Sequence, residues 1–253
     1  MKPRSNSPGV RPRRPENFVF GSQHNFEEVI SVALNDSLFD LHAKVGYAST
    51  TYPYAHSQIL DRYRAHPNLL ACAASILGPD LIQIVNQVNF NPPGGGVGWG
   101  WHQDYRFRKA GMYDVKDDFV QTLLAIDLCS AETGGLRVIP GSPGLGSLKL
   151  DQDNENAETH FDATRAITPV LQPGDVILFN SHMIHGSTAN RSTNLRRVYI
   201  NGFARAAAAS LAHGAMPPLF GIPVLRSGVP ITTRVGMMEY EGDRETLPKA
   251  SKY

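Results

Sequence analysis

The chain has 253 residues, a formal net charge of +1, 42% hydrophobic residues and 19% charged residues. That composition suits a soluble globular chain of one large or two small domains, and the near-zero charge gives no reason to expect nucleic acid or membrane surfaces as partners. Two cysteines, Cys72 and Cys129, are too few for a disulfide framework, and no apolar run approaches the ~18 residues of a membrane span. Both cysteines lie in apolar runs, so buried, reduced thiols and a cytoplasmic setting are expected.

Residues 1–17 are rich in Pro, Ser and Arg without apolar periodicity and read as a basic tail. Residues 18–253 read as one domain, since no linker or internal repeat divides them. Phe26, Val29, Ile30, Ala33, Leu34, Leu38, Leu41 and Val45 recur at helical spacing up to Gly46. A second helical region passes through Ile59 and Tyr63, breaks before Pro67 and resumes from Asn68 to Leu77, where Gly78-Pro79 ends it.

From Leu81 the pattern becomes β. Leu81 to Phe90 alternates, which predicts Ile82, Ile84 and Val88 on one side and Gln83, Gln87 and Asn89 on the other. A Gly/Pro-rich turn follows at 91–96. Phe119 to Leu128 and Leu136 to Ile139 read as strands, and residues 147–165 as a solvated polar excursion. Val170-Leu171 and Val176 to Phe179 flank Pro173-Gly174 and predict a hairpin, and Arg197 to Phe203 is a further strand. A short alanine-rich helical stretch and mixed extended pieces follow, with the segment after Arg205 a candidate lid. Helices followed by many short strands predict a mainly β fold with flanking helices, and a double-stranded jelly roll fits best.

The chemistry concentrates in Trp99-Gly100-Trp101-His102-Gln103-Asp104-Tyr105. On an extended strand, residues two apart share a face, so His102 and Asp104 can aim at one point. They supply two of the three donors of a 2-His-1-carboxylate iron site. His182 and His185 follow directly on the strand Val176 to Phe179, and either can be the third. A return through Asn190 to Asn194 is expected to bring Arg196 alongside the His185 strand, where its planar fork can grip a bidentate carboxylate. Alternation favours Arg196 over Arg197 as the inward side chain, since Arg196 shares its face with Val198 and Ile200.

Three segments in register resemble the phytanoyl-CoA dioxygenase family: Trp101-His102-Gln103-Asp104, then Glu132 through Gly134-Gly135-Leu136 to Pro140-Gly141-Ser142, then Pro173-Gly174-Asp175 through His185-Gly186-Ser187 to Arg196. The similarity spans roughly residues 26 to 205. It implies a double-stranded β-helix (jelly roll, cupin-like), Fe(II) as metal, 2-oxoglutarate as cosubstrate and O2 as oxidant. Carried over by position, His102, Asp104 and His185 become the iron ligands. Arg196 becomes the clamp on the cosubstrate C5 carboxylate, Ser187 a further cosubstrate contact, and His182 a neighbour. Thr133 stands where Asn is common in the family, and Pro143 where many members have His. Asp104 implies hydroxylation or a similar oxidation, because related halogenases carry Ala or Gly at that position.

Substrate identity is less legible. Tyr105, Arg106, Phe107, Arg108 and Lys109 form a cationic run that points to an anionic small molecule such as a phosphonate, carboxylate or CoA ester, with Asp114, Asp117 and Asp118 close enough to offset it. Trp99 and Trp101 are expected to pack on the face opposite His102. Two rival classes are a cupin-type metalloprotein that uses no 2-oxoglutarate, for which Arg196 would be dispensable, and a non-catalytic binding protein on the same fold.

Overall fold

Pro67 sets the first helical boundary. In the computed structural model, which describes residues 48–51, 58–94, 98–106, 119–148, 160–208 and 221–231, helix α1 (Gln58–Arg64) gives way to α2 (Pro67–Leu77) at that residue. A proline in the first helical turn has no N–H that needed a partner. His66 caps the same end, its Nδ1 accepting from the Asn68 N–H at 3.2 Å, and Gly78 closes the other end at φ 96°. Leu69, Leu70, Ala73 and Leu77 form the buried face of α2, each leucine contributing about 1.5–3 kcal/mol of burial. Cys72 lies off that face and is exposed, so only Cys129 fulfils the expectation of a buried thiol; apolar neighbours in sequence do not place a residue on the inward helical stripe. The basic tail and the expected helix over 26–45 lie outside the described residues.

The strands are β1 (Ala48–Thr51), β2 (Leu81–Asn91), β3 (Val120–Ala125), β4 (Leu136–Val138), β5 (Val176–Asn180), β6 (His185–Ser187), β7 (Arg196–Arg205), β8 (Ile222–Arg226) and β9 (Val229–Pro230). Seven form an antiparallel sheet in the order β5-β3-β7-β2-β8-β9, with β1 also on β2; β4 and β6 form a second sheet. The second sheet is widened by bridges of His102 to His185 and of Val138 to Ile167, and a further bridge joins Cys129 to Leu171. This is the expected jelly roll: two antiparallel sheets with consecutive strands crossing between them. No helix among the described residues is long and apolar enough to cross a membrane.

The outer face of the large sheet is covered by α1 and α2, where Leu60, Tyr63, Leu70 and Ala73 pack with Leu81, Val88, Leu124, Tyr199 and Phe203. On the interior face, Leu123, Ala125, Cys129, Phe179 and Val198 form a separate cluster. A register shift between Gln83 and Val85 decides which β2 side chains go where. Ile84 and Val85 both join Ile82 in one cluster, so the alternation reverses beyond them and Val88 joins the helix-covered side. The expected grouping of Ile82, Ile84 and Val88 is therefore broken, because a bulge inverts every later side chain. Downstream of it, Gln87, Asn89 and Asn91 pair with Ile200, Val198 and Arg196 and share their interior face.

Two further expectations are corrected. Val176 to Asn180 pairs with β3 rather than with Val170-Leu171, so Pro173-Gly174 turns the chain from one sheet to the other instead of closing a hairpin. Asn190 to Asn194 likewise does not lay Arg196 beside His185: β6 pairs with β4, whereas β7 pairs with β2 and β3. Asn190 enforces that crossing, its amide donating to Asn91 O at 2.9 Å and Asn194 O at 2.7 Å. The described part of the alanine-rich stretch is a 3-10 turn at Ala206–Ala208, its remainder lies outside the described residues, and β8 and β9 extend the sheet edge. Of the proposed lid after Arg205, residues 206–208 and 221–231 are described, as that turn and the edge strands; the rest of it, and most of the polar excursion, lie outside the described residues.

Gly202 is a tightly packed position on β7. A Cβ there would stand 2.6 Å from Gln121 Oε1 and 2.8 Å from Val85 Cβ. Gly202→Ala is expected to cost about 1–3 kcal/mol of stability by overpacking; chemical denaturation at wild-type midpoint would contradict this packing.

Candidate metal centre

His102 enters the site through one backbone bridge. Its N–H donates to His185 O and its carbonyl accepts from the His185 N–H, each at 2.9 Å, which binds the two segments side by side. Their rings stand with centroids 4.1 Å apart. Asp104 follows in the next turn, anchored by Tyr105 N–H donating to Ser181 O at 2.9 Å. The ligating atoms of His102, Asp104 and His185 all lie within 4.8 Å of one another, and all three residues are buried.

The hydrogen bonds fix the tautomers. His102 Nδ1 sits 2.8 Å from Gly100 O and His185 Nδ1 sits 2.9 Å from Met183 O; a carbonyl can only accept, so both rings carry the proton on Nδ1. In the neutral form each Nε2 then presents a lone pair, 3.6 Å from Asp104 Oδ1 for His102 and 3.7 Å from Asp104 Oδ2 for His185. These spacings are too long for hydrogen bonds. Burial, and next the facing His185, hold the His102 pKa well below its usual 6.5, so the ring is neutral at physiological pH. Three buried metal-ligating side chains thus converge without hydrogen bonds among their facing atoms, an arrangement that a cation can bridge. Two imidazoles and one carboxylate on one side of the ion match the facial set used for non-haem iron.

Phe179, which the sequence pattern marks only as strand core, packs on the His185 ring at 4.8 Å. His182 is outside the cluster; its ring stacks on Tyr105 at 4.2 Å, which accords with the expected neighbour role. Trp101 packs edge-on against Phe161 with the Arg137 guanidinium over its face, away from the ligands as expected. Trp99 departs from that expectation. Its ring lies edge-on to His102 at 6.0 Å, because the backbone there is irregular: Trp99 O accepts from Ser187 N–H while Trp99 N–H donates to Ser187 Oγ at 3.0 Å.

The two adjacent arginines have different surroundings. Arg197 is buried on a protein carboxylate, Nε to Asp127 Oδ2 at 2.8 Å and Nη2 to Oδ1 at 2.9 Å. Arg196, 4% exposed, donates from Nη2 to Gly134 O at 2.7 Å, and its Nε has no hydrogen-bond partner among the described residues. Asn91, opposite Arg196 in the register, also has an unpartnered Oδ1 among them. Nothing in the sequence pattern marks Asn91, because the β2 bulge, invisible in the alternation, decides that it faces inward.

The sequence profile of the phytanoyl-CoA dioxygenase (PhyH) family matches residues 39–198. The chain belongs to that family. It is 32% identical to a methylphosphonate hydroxylase of Gimesia maris over 50% of this chain and 46% of that one. It is 26% identical to a probable alpha-ketoglutarate-dependent hypophosphite dioxygenase of Stutzerimonas stutzeri over 70% of this chain and 65% of that one. The chain spans about half the length of the first curated relatives it matches. A solved structure of EctD from S. alaskensis with 2-oxoglutarate and 5-hydroxyectoine superposes with a TM-score of 0.59 over 84% of this chain and 81% of that one, at 18% identity, a likeness of fold.

Two outcomes follow from the cluster. His102→Ala or Asp104→Ala is expected to abolish tight divalent-metal binding by calorimetry while the fold persists; wild-type affinity in either variant would refute the donor set. Because the folded His102 binds its proton more weakly than the unfolded chain does, the metal-free protein should lose stability as pH falls below about 6.5 and keep it above. Denaturation midpoints between about pH 5.5 and 7.5, with chelator present, test this, and a flat profile would contradict it.

Proposed function

We propose that this chain is an Fe(II)- and 2-oxoglutarate-dependent dioxygenase that hydroxylates a C–H bond of a small molecule, with release of succinate and CO2. The observation that carries the reading is Arg196: a buried guanidinium with its Nε unpaired among the described residues, on the interior face of the barrel that also holds the His-Asp-His set. A buried cation without a counter-charge costs several kcal/mol, and a carboxylate ligand removes that cost. Arg197 next to it is already neutralised by Asp127, so Arg196 is the one left for a ligand.

In this reading His102, Asp104 and His185 hold the iron. When bound, Fe(II) supplies the oxygen-activating redox chemistry that couples 2-oxoglutarate decarboxylation to C–H oxidation. The chain's own work is positioning. Gly100 O and Met183 O hold both imidazoles in the tautomer that offers Nε2 to a metal. Arg196 grips the distal carboxylate of the cosubstrate. Ser187, whose Oγ accepts from Trp99 N–H, retains its own hydroxyl proton for the same ligand. Asp104 occupies the coordination position whose carboxylate favours hydroxylation.

An anionic substrate fits this site. Arg106 lies close enough to His102 to disfavour the protonated ring, which puts a cation at the rim of the centre. Two of the relatives, the methylphosphonate hydroxylase and the probable hypophosphite dioxygenase, are in keeping with a phosphorus oxyanion or comparable small anion as substrate. The reading includes a cytoplasmic setting, supported by two cysteines that form no disulfide.

Anaerobic addition of Fe(II) and then 2-oxoglutarate should produce a weak visible charge-transfer band. Arg196→Leu is expected to weaken cosubstrate binding by about 2–5 kcal/mol while metal affinity without cosubstrate stays unchanged. A variant that keeps 2-oxoglutarate binding would favour the cupin-type reading instead.

A further inference from the structure

The residue between the two ligands of the His102-Gln103-Asp104 segment points the other way and is 2% exposed. Its carboxamide makes three hydrogen bonds, all 2.8 Å long and all to backbone. Nε2 donates to Gly146 O and to His182 O, and Oε1 accepts from Leu148 N–H. The pattern of two donors and one acceptor fixes the amide orientation, since a flipped amide would set its oxygen against two carbonyls. It also defines the chemistry that can serve. A carboxylate lacks both donors, an apolar isostere lacks everything, and Asn is one methylene short.

Those three bonds join separate parts of the centre. His182 lies in the turn that leads to His185, Gly146 and Leu148 belong to the segment leaving the 3-10 turn Ser142–Leu145, and Gln103 itself is bonded on both sides to ligands. The same 3-10 turn touches the distal side independently, Ser142 Oγ accepting from Ile184 N–H at 2.8 Å. We infer that Gln103 is a positioning residue for the metal centre. By tying the turn before His185 and the 146–148 segment to the backbone between His102 and Asp104, it sets the separation of the proximal and distal ligands. The inference rests on the metal-binding part of the proposed function and adds a residue that touches neither metal nor cosubstrate.

Partners that orient metal ligands from behind typically change affinity by about 10- to 100-fold when removed. Gln103→Glu and Gln103→Met are therefore expected to weaken Co(II) binding to the full chain by about that factor, read by calorimetry or by the cobalt visible spectrum, with an altered band shape from the displaced ligands. The control is Gln83→Met. Gln83 is as deeply buried and its carboxamide is bonded twice, to Asn201 at 2.7 Å and Arg64 at 3.3 Å, but through contacts on the helix-covered face of the sheet. It should lower the thermal midpoint and leave the cobalt affinity and spectrum alone, which separates positioning from mere stability. If a Gln103 variant is unfolded without metal, the cobalt concentration that restores its native circular dichroism reads the same quantity. Wild-type cobalt affinity and spectrum in both Gln103 variants, or an equal loss in Gln83→Met, would overturn the inference. Failure of the wild-type chain to bind cobalt or Fe(II) would instead overturn the proposed function.

Discussion

The arrangement depends on a conflict that the fold holds in place: a cluster of three lone-pair donors, and a guanidinium whose Nε has no hydrogen-bond partner among the described residues, are both kept out of water. His102, Asp104 and His185 converge as acceptors, and Arg196 lies on the interior of the same barrel with an unmet donor among the described residues. Each is unfavourable alone in a low-dielectric interior. Together they define what must enter, a cation beside the first group and a carboxylate beside the second. The geometry is thus a statement about ligands, made by groups that would otherwise weaken the fold.

Holding such a conflict requires rigidity from behind, and both sheets supply it. In the small sheet, each ligand imidazole donates to a carbonyl two residues before it, and the reciprocal His102–His185 backbone pair keeps the rings facing. In the large sheet, the surface under the helices carries a polar network of its own. Arg64, 1% exposed, donates to Gln83; Gln83 and Asn86 donate to Asn201 Oδ1; and the Tyr199 hydroxyl donates to Leu60 O. A buried hydrogen-bonded network of this kind, with Asn201 Nδ2 left without a partner among the described residues, specifies one alignment of helix on sheet where apolar contacts alone would allow sliding. It leaves the interior face of β7 free to carry Arg196, Val198 and Ile200.

Much of the site is legible in the sequence. The two-residue spacing of His102 and Asp104, the distal His185 after an apolar strand, and the preference for Arg196 as the inward arginine all follow from period-two geometry and side-chain chemistry. The family resemblance decides what spacing leaves open, namely His185 rather than His182. The misses share one cause. The bulge in β2, the sheet change at Pro173-Gly174 and the crossing at Asn190 to Asn194 are all places where a strand's partner, not its own pattern, decides the outcome. Cys72 departs from expectation for a related reason, since an apolar run says nothing about which side of a helix meets the sheet.

What the sequence determined by itself is the chemical inventory and its local facing: which donors exist, which share a strand face, where Pro67 and Gly78 bound a helix. These are set by bonds and torsions within a few residues. Only the tertiary structure decided that Arg196 comes from the opposite sheet, that Asn91 faces inward, and that Gln103 ties three backbone segments together. Those facts depend on contacts between residues tens of positions apart, and no local period encodes them. The physical reason is that side-chain direction is inherited from neighbouring torsions, whereas the partner it meets is chosen by the packing of the whole chain.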